Sequence, residues 1–270
     1  MIKKKFKTIY YIGGTLYRGM IGVYHNTFDK ELEIPKEVEK FVIGKSIQGK
    51  EILGYKLGQG DQKFLIVGGI HGNEVGTVKL AKKTINYFFV NKPNVQLFVI
   101  PSLNIDGHIK AIKNRDYVHR GKTGRFNSNK GDLNRNFSSK NWGKESVWGI
   151  GKSYSEEMKP VYCGEHPGSE PEIQGLISFI GKEQIKNLIM LHNVGSNVVC
   201  TADDDIANKW ADIYEQNTNF KKIHRVSNIT GSAMDWSKEN NVHYLGIEGS
   251  SRWGSDWKKQ KKAIIKMLNI

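Results

Sequence analysis

The chain has 270 residues, a length that fits one large domain or two small ones. Hydrophobic residues make up 38% of it and charged residues 25%, which is typical of a globular protein and excludes a collagen, a coiled coil or a disordered chain. The sequence contains no run of about 18 apolar residues, so it predicts no transmembrane helix.

Positive charge dominates the composition. The 41 Lys and Arg outnumber the 27 Asp and Glu, which gives a formal net charge of +14. Most of these residues are Lys, which favours a solvated surface. The few arginines include a cluster formed by Arg115, Arg120, Arg125 and Arg135. Because a guanidinium group suits carboxylates and phosphates, this cluster is a candidate binding site. The net charge is compatible with attraction to anionic polymers but predicts no specific nucleic-acid partner.

The N-terminus and the cysteines bear on localisation. Residues Met1–Lys7 resemble the basic start of a signal peptide, but the stretch after them is short, contains glycines and meets Arg18. It also lacks a small-residue cleavage site, so we expect an unprocessed cytoplasmic protein, with a secreted or periplasmic protein as the alternative. The two cysteines, Cys163 and Cys200, allow at most one disulfide within the chain and indicate a reducing compartment only weakly.

The hydrophobic pattern is most regular in a strand–helix–strand unit. The apolar run Phe64–Val67 is short and followed by glycines, which predicts a buried strand. Apolar residues then recur at helical spacing over Glu74–Phe89, and Val95–Ile100 is predicted as a second buried strand. A helix between two buried strands indicates a parallel βαβ unit and hence an α/β sheet.

Beyond this unit the pattern weakens and then returns. Residues Asn104–Pro167 show little periodicity, which indicates a functional or mobile region and leaves open whether it is a lid. Ser169 and Glu172 are predicted to form a capping box, with Pro171 in the first turn of the next helix. The remaining predicted elements are the strands Leu188–Leu191, Asn197–Cys200 and Tyr244–Ile247 and the helices Asp203–Glu215 and Asp256–Leu268. We therefore expect one domain spanning residues 1–270, with 1–40 as a peripheral N-terminal extension.

Histidine and glutamate residues follow the buried strands at their carboxyl ends, where ligands collect in open α/β sheets. His71 and Glu74 follow the first strand, His192 follows Leu191, and Glu248 ends the last strand. Two histidines and one carboxylate, with a fourth position open, are the ligand set of a catalytic zinc site. A second glutamate nearby can take a proton from the attacking water. The competing interpretation is a structural, hydrogen-bonded histidine. We assign that role to His25, His108, His119, His166, His224 and His243.

A series of motifs resembles the zinc carboxypeptidase family, the metallopeptidases of the carboxypeptidase A type. In chain order they are Gly44–Ile52, Gly69–Glu74, Asp132–Phe137, Ser169–Glu172, His192, and Asp235-Trp236 ahead of Glu248. The resemblance covers most of the chain, and in compact size the chain looks most like the bacterial murein-peptide amidases. It implies a single metallopeptidase domain with a doubly wound, mixed but mostly parallel twisted sheet and helices on both faces.

The resemblance also implies roles for individual residues. The implied ligands of one zinc ion per chain are His71, Glu74 and His192. Glu248 would be the general base that activates water and later protonates the leaving amine. Asn134 and Arg135 would hold the terminal carboxylate of the substrate, since a guanidinium group binds a carboxylate with two hydrogen bonds. The alternative for Arg135 is a surface salt bridge.

Two supporting roles complete the implied site. Asp132 is the natural partner for the free ring nitrogen of His71, and its alternative role is that of a turn or cap residue. Arg125 has the family's spacing before the Asp132–Phe137 motif and would stabilise the oxyanion. The alternatives for that role are Arg120 and Arg115.

The sequence departs from the family pattern around the substrate pocket. Ser227 aligns with the position where the digestive enzymes carry a mobile tyrosine, and the nearest tyrosine, Tyr244, lies on the predicted strand itself. The base of the specificity pocket falls at Met234, with Ala233 or Asp235 as alternatives. A methionine there argues against a pocket for Lys or Arg side chains.

These assignments favour a zinc metallopeptidase that hydrolyses a peptide or amide bond adjacent to a free carboxylate, with murein-derived peptides as the leading substrate by analogy. The first alternative is an N-acyl amino acid deacylase of the aspartoacylase or succinylglutamate desuccinylase type, which Gly72–Glu74 and Gly246–Gly249 also resemble. Asn136-Phe137 and Gly44–Ile52 are more similar to the peptidases. The second alternative is a catalytically inactive, polyanion-binding protein that uses the net charge of +14.

Overall fold

The computed structural model describes residues 32–114, 123–144, 146–149, 158–224 and 229–269. The strands are β1 (Glu39–Lys45), β2 (Glu51–Leu57), β3 (Lys63–Val67), β4 (Gln96–Ile100), β5 (Val147–Gly149), β6 (Met158–Pro160), β7 (Asn187–Asn193), β8 (Asn197–Cys200), β9 (Lys221–His224) and β10 (His243–Gly249). The helices are α1 (Val75–Val90), α2 (Ile105–Asn114), α3 (Pro171–Glu183), α4 (Asp205–Asn217), α5 (Ala233–Glu239) and α6 (Trp257–Met267).

Eight of these strands form one mixed sheet in the order β1-β2-β4-β3-β7-β10-β8-β9, and β5 pairs with β6 separately. The central strands β4, β3, β7 and β10 run parallel to one another. β2 is antiparallel to both of its neighbours, and β8 is antiparallel to β10 but parallel to β9. The mixed, mostly parallel sheet implied by the family resemblance is confirmed.

Helices cover both faces of the sheet because side chains alternate along its buried strands. On β3, Phe64 and Ile66 belong to one hydrophobic core, and Leu65 and Val67 belong to the other. The first core includes residues of α1, α4 and α6, and the second includes residues of α3 and α5. A strand buried on both faces needs apolar residues at every position, which explains the continuous run Phe64–Val67. The doubly wound architecture is therefore also confirmed.

The predicted strand–helix–strand unit is present as β3, α1 and β4. β3 and β4 pair in parallel from Lys63 opposite Gln96 to Val67 opposite Ile100. The predicted helix Asp203–Glu215 is α4, which begins two residues later because the side chain of Asp204 caps it by accepting a hydrogen bond from the Ala207 N–H.

The predicted capping box at the start of α3 is wrong. Glu170, rather than Ser169, precedes the helix, and no side chain caps its N-terminus. The carboxylate of Glu172 is buried and accepts hydrogen bonds from the Ile47 N–H and from Asn127 Nδ2, both at 3.3 Å. Contacts distant in sequence therefore replace the local motif at this helix end.

The weakly periodic region contains a helix that the sequence pattern did not predict. Ile105, Ile109 and Ile112 recur at helical spacing in α2, but Asp106 and Gly107 are buried and Ile112 is exposed, so the short apolar stripe does not coincide with the buried face. Residues 115–122, 145 and 150–157 of the same region lie outside the described residues, and the lid stays a prediction.

The termini and cysteines add three observations. Residues 1–31 of the predicted N-terminal extension lie outside the described residues, whereas its last two positions, Glu39 and Lys40, belong to β1. Cys163 and Cys200 are both free thiols, with Cys200 buried. Within the described part of the chain, no helix combines the length and apolar character needed to cross a membrane.

Candidate metal centre

The parallel strands bring the predicted site residues to one edge of the sheet. β7 lies between β3 and β10, and His192 on β7 is directly opposite Glu248 on β10. After β3 the chain turns at Gly69, whose φ of 60° lies in the left-handed region. A Cβ on Gly69 would lie 3.0 Å from the Ser102 Cα, so glycine is required for the turn that leads to His71.

His71, Glu74 and His192 form a compact, buried cluster. The Glu74 carboxylate lies between the two rings, with Oε1 2.9 Å from His71 Nδ1 and Oε2 3.5 Å from His192 Nδ1. One potential ligand atom from each side chain lies within 4.8 Å of the other two. The backbone N–H of Asn193 donates to Glu74 Oε2 at 3.1 Å and helps to fix the carboxylate.

Asp132 connects this cluster to the arginines. Its Oδ1 lies 3.1 Å from His71 Nε2 and accepts a hydrogen bond from the Asn134 N–H at 3.0 Å. Its Oδ2 accepts hydrogen bonds from Arg125 Nε at 3.2 Å and from Nη2 at 2.9 Å. Asp132 is thus both the partner of His71 and the cap of the short 3-10 helix Leu133–Arg135, the two roles that the sequence offered as alternatives.

Burial and charge act in opposite directions on these carboxylates. Burial would raise the pKa of Glu74, but the His71 and His192 rings outweigh it and lower that pKa. Burial also opposes the ionisation of Asp132, yet the charges of Arg125 and His71 hold the pKa of this carboxyl well below its usual range. Both carboxylates are therefore ionised at neutral pH, and Glu74 presents a full negative charge to the centre of the cluster.

The donor set fits a zinc ion. Two imidazole nitrogens and one carboxylate oxygen are the protein ligands of many catalytic zinc sites, in which a fourth position stays open. Both histidines turn Nδ1 toward Glu74, so the three donors already converge. The other ring nitrogen of His71 is held by Asp132, whereas the buried Nε2 of His192 has no hydrogen-bond partner among the described residues. Nε2 of His192 therefore lacks the carboxylate partner that Asp132 provides for Nε2 of His71, and the place of His192 on β7 orients its ring.

Glu248 lies beside the cluster on β10. Its carboxylate has no hydrogen bond or ion pair with any residue in the described ranges, so it is available to water or substrate. Burial raises the pKa of Glu248, the charge of His192 opposes this, and the like charge of Glu74 reinforces it, with a raised pKa as the result. A raised pKa suits a carboxyl group that has to take up a proton and release it again.

Arg125 and Arg135, the two described members of the arginine cluster, are both buried. Arg125 Nη1 lies 3.6 Å from Glu74 Oε1, which places the guanidinium beside the cluster of His71, Glu74 and His192. Arg135 donates to the Val147 carbonyl from Nε at 3.0 Å and Nη2 at 2.9 Å, and to the Asn134 carbonyl from Nη1 at 2.7 Å. With 3% exposure, Arg135 does not form the surface salt bridge that was its alternative. Arg115 and Arg120 lie outside the described residues.

Asn134 links the predicted carboxylate site to the predicted pocket. Its side-chain carbonyl accepts a hydrogen bond from the Ala233 N–H at 3.0 Å, which ties it to the first turn of α5. Met234, the next residue, is 7% exposed and belongs to the second hydrophobic core. Asp235 instead completes a capping box with Ser232, so its carboxylate is used by the helix end.

The other predicted positions fall into two groups. Tyr244 is buried in the second core on β10, so it is not a mobile residue over the cluster, and Ser227 lies outside the described residues. Four histidines assigned structural roles each make a hydrogen bond outside the cluster, namely His108, His166, His224 and His243. The remaining two, His25 and His119, lie outside the described residues.

Arg252 is a half-buried residue near the cluster that the sequence patterns did not indicate. It lies in the loop after β10, and its backbone carbonyl accepts a hydrogen bond from the Gly76 N–H at 2.7 Å. Burial lowers the pKa of its guanidinium, the charge of Glu74 raises it and that of Arg125 lowers it. Its position shortly after Glu248, at the carboxyl end of a central strand, is the signal that could have identified it.

Comparison with known families identifies the family of this chain. The family model described as zinc carboxypeptidase matches residues 26–258. The chain belongs to the zinc carboxypeptidase family. Membership confirms the resemblance carried by the motifs. The description of the family names zinc, and His71, Glu74 and His192 are side chains that could hold a metal ion.

Relatives within this family differ in length and name. Carboxypeptidase B2 of Bos taurus is 29% identical over 244 residues, which cover 80% of this chain and 52% of the relative. Murein peptide amidase A of Escherichia coli K12 is 26% identical over 211 residues, which cover 76% of this chain and 78% of the relative. This chain therefore spans about half the length of the carboxypeptidase B2 that it matches.

A solved structure has the same fold. The crystal structure of murein-tripeptide amidase from Escherichia coli O157 superposes with a TM-score of 0.67 at 22% identity. The superposition covers 88% of this chain and 94% of the other. At this identity the likeness extends to the fold, and the reaction has to be argued from the site.

Proposed function

We propose that this protein is a zinc-dependent metallocarboxypeptidase or amidase that hydrolyses a peptide or amide bond next to a free carboxylate. The observation that carries the proposal is the convergence of His71, Glu74 and His192, with the Glu248 carboxylate on the adjacent strand. Membership of the zinc carboxypeptidase family supports zinc as the ion. The three converging side chains would hold one zinc ion per chain.

The chemistry divides between the ion and the protein. A zinc ion would supply Lewis acidity, which lowers the pKa of a water molecule and polarises the scissile carbonyl. Glu248 would accept a proton from the attacking water and return it to the leaving nitrogen. Its raised pKa favours this double role, because the group must both accept a proton and return it.

Arg125 would stabilise the negative charge that develops on the carbonyl oxygen. Two of its nitrogens are anchored on Asp132, which fixes the guanidinium plane before substrate arrives. The third nitrogen lies on the Glu74 side, close to where the reacting carbonyl would approach the cluster. A donor fixed in advance costs no reorganisation during the reaction, which is how such groups lower barriers.

Asn134 and Arg135 would bind the terminal carboxylate of the substrate. The Asn134 side-chain carbonyl is occupied by the Ala233 N–H, so its amide N–H groups are the donors left for a ligand. Arg135 is buried beside it and held by backbone carbonyls, which orients its planar fork. An amide and a guanidinium side by side match the two oxygens of a carboxylate.

Murein-derived peptides are the substrate class that we favour. The murein peptide amidase of Escherichia coli is matched along 78% of its length, against 52% for carboxypeptidase B2 of Bos taurus. Met234, at the predicted base of the pocket, offers no charge for a basic side chain, which argues against substrates that end in Lys or Arg.

Amine release from a murein tripeptide and from N-acetyl-aspartate by the zinc-loaded protein tests the proposal. Cleavage of the tripeptide by the wild type, lost in Glu248→Gln, is the expected result. Cleavage of N-acetyl-aspartate alone would assign the deacylase reaction instead. Failure to cleave either, together with no bound zinc and salt-sensitive binding to an anionic polymer, would favour the polyanion-binding alternative.

A further inference from the structure

Asn197, the first residue of β8, lies beside Glu248. The two residues are directly opposite each other in the antiparallel pair of β8 and β10. Side chains at directly opposed positions lie on the same face of a sheet and contact each other. A Cβ on Gly195, in the turn between β7 and β8, would lie 2.6 Å from Asn197 Nδ2 and 2.8 Å from Glu248 Cβ. The amide of Asn197 and the side chain of Glu248 therefore pack around the same glycine.

The side-chain carbonyl of Asn197 is an unused acceptor. Its Oδ1 is buried and accepts no hydrogen bond from any residue within the described ranges. Burial of an acceptor without a donor destabilises a folded protein, so such atoms are rare and call for an explanation. Because this one adjoins the proposed general base, a donor supplied by the substrate explains it.

The order of the strands shows which part of a substrate Asn197 faces. Glu248 on β10 has His192 on one neighbouring strand, β7, and Asn197 on the other, β8. The cluster of His71, Glu74 and His192 lies on the β3 and β7 side of Glu248. In the proposed reaction the carbonyl is held at the cluster and Glu248 serves the leaving nitrogen. Asn197 therefore lies on the leaving side of the cleaved bond.

The proposed anchor for the terminal carboxylate lies on the same face of the sheet. Side chains alternate along β8, where Val198 belongs to the first hydrophobic core and Val199 packs against the second. Asn197 therefore points to the same face as Val199. The second core also contains Ala233, whose N–H donates to the Asn134 side chain. A leaving residue held at Asn134 thus shares this face with Asn197.

We propose that Asn197 Oδ1 accepts a hydrogen bond from the N–H of the leaving nitrogen and holds that nitrogen toward Glu248 while the carbon–nitrogen bond breaks. The water oxygen forms the new bond to the carbonyl carbon, and the nitrogen takes up the proton that Glu248 received from this water. The hydrogen that the nitrogen already carries stays on it and bonds to Asn197. This inference rests on the proposed function and adds a catalytic residue to it.

The kinetic test compares a murein tripeptide with its depsipeptide analogue, which has an ester oxygen in place of the leaving nitrogen and hence no N–H to donate. Asn197→Leu keeps a similar size but removes the acceptor. It should lower kcat/KM for the tripeptide about tenfold, the effect of one hydrogen bond between neutral groups, and change that for the ester less than about twofold. Equal losses on both substrates, or no loss on the tripeptide, would overturn the proposal.

Two further measurements guard against a general effect of the substitution. Asn94→Leu is the matched control, because Asn94 is exposed and precedes β4, at the opposite edge of the sheet, and it should alter neither substrate. Urea unfolding of Asn197→Leu should have a midpoint no lower than that of the wild type, since removing an unpaired buried acceptor costs no hydrogen bond within the protein. A much lower midpoint would assign Asn197 a structural role and contradict the proposal.

A binding experiment separates this inference from the proposed reaction. Calorimetric titration of both ligands into zinc-loaded Glu248→Gln and into the Glu248→Gln, Asn197→Leu double variant measures recognition without turnover. Binding of the tripeptide that is weaker in the double variant, with unchanged binding of the depsipeptide, supports the bond to Asn197. That result holds even if the wild type cleaves neither compound and the proposed hydrolysis fails. Equal weakening for both ligands, or tripeptide binding that does not depend on Asn197, contradicts the inference.

Discussion

Asp132 Oδ1 lies 3.1 Å from Nε2 of His71, and the same carboxylate group binds Arg125 through Oδ2. With Nε2 carrying the proton, Nδ1 of His71 presents its lone pair toward the Glu74 side of the cluster. One buried carboxylate therefore fixes the tautomer of a proposed metal ligand and the orientation of the proposed oxyanion donor.

Asp132→Asn is expected to weaken zinc binding about tenfold to a hundredfold, the usual effect of removing a carboxylate that supports a ligand histidine. Competition with a chromophoric chelator measures the affinity. Asp106→Asn is the matched control, because Asp106 is also buried but pairs with Lys50. A zinc affinity of Asp132→Asn equal to that of the control variant would contradict the role assigned to Asp132.

Glu248→Gln should retain zinc and lower kcat by at least about a hundredfold, because the amide cannot accept the proton of the attacking water. Peptide hydrolysis and metal analysis on the same preparation check both parts. Turnover close to that of the wild type would remove Glu248 from the role of general base.

The same substitution should stabilise the metal-free protein at neutral pH. The folded-state pKa of Glu248 is raised, so the stability associated with its neutral form is lost as pH rises through that pKa. Glutamine stays neutral at every pH and avoids this loss. The gain in the free energy of unfolding of Glu248→Gln over the wild type should therefore be largest above the folded-state pKa, and it should vanish below the pKa of Glu in the unfolded chain, about 4.3. Urea unfolding of chelator-treated proteins across this range measures it. Glu51→Gln is the control, because Glu51 is exposed. A gain in the free energy of unfolding of Glu248→Gln that grows toward low pH would contradict the account.

Arg135→Lys should raise KM about tenfold for substrates with a free terminal carboxylate, because lysine cannot reproduce the two-pronged contact. Substrates with an amidated terminus serve as the internal control and should lose much less. Equal losses on both substrates would mean that Arg135 does not anchor the carboxylate and that its role is structural, through contacts such as its bonds to the Val147 and Asn134 carbonyls.

The strand ends and the cluster of His71, Glu74 and His192 could be predicted because each leaves a local pattern. Phe64–Val67 is apolar at every position since both faces of β3 are covered, and the polar residues after it mark the edge of the sheet. The capping box at Ser169 failed because Glu172 is drawn to Ile47, a contact that local spacing does not encode. The position of Arg252 could not be predicted for the same reason, since it depends on the packing of its loop on Gly76.

The central claim is that His71, Glu74 and His192 hold one zinc ion, and calorimetric zinc titration of the chelator-treated protein tests it most directly. The wild type should bind one ion per chain, and His192→Ala should lose about tenfold or more in affinity, as removal of one of three ligands requires. Wild-type protein that binds no stoichiometric zinc, or a His192→Ala variant that binds it equally well, would contradict the account.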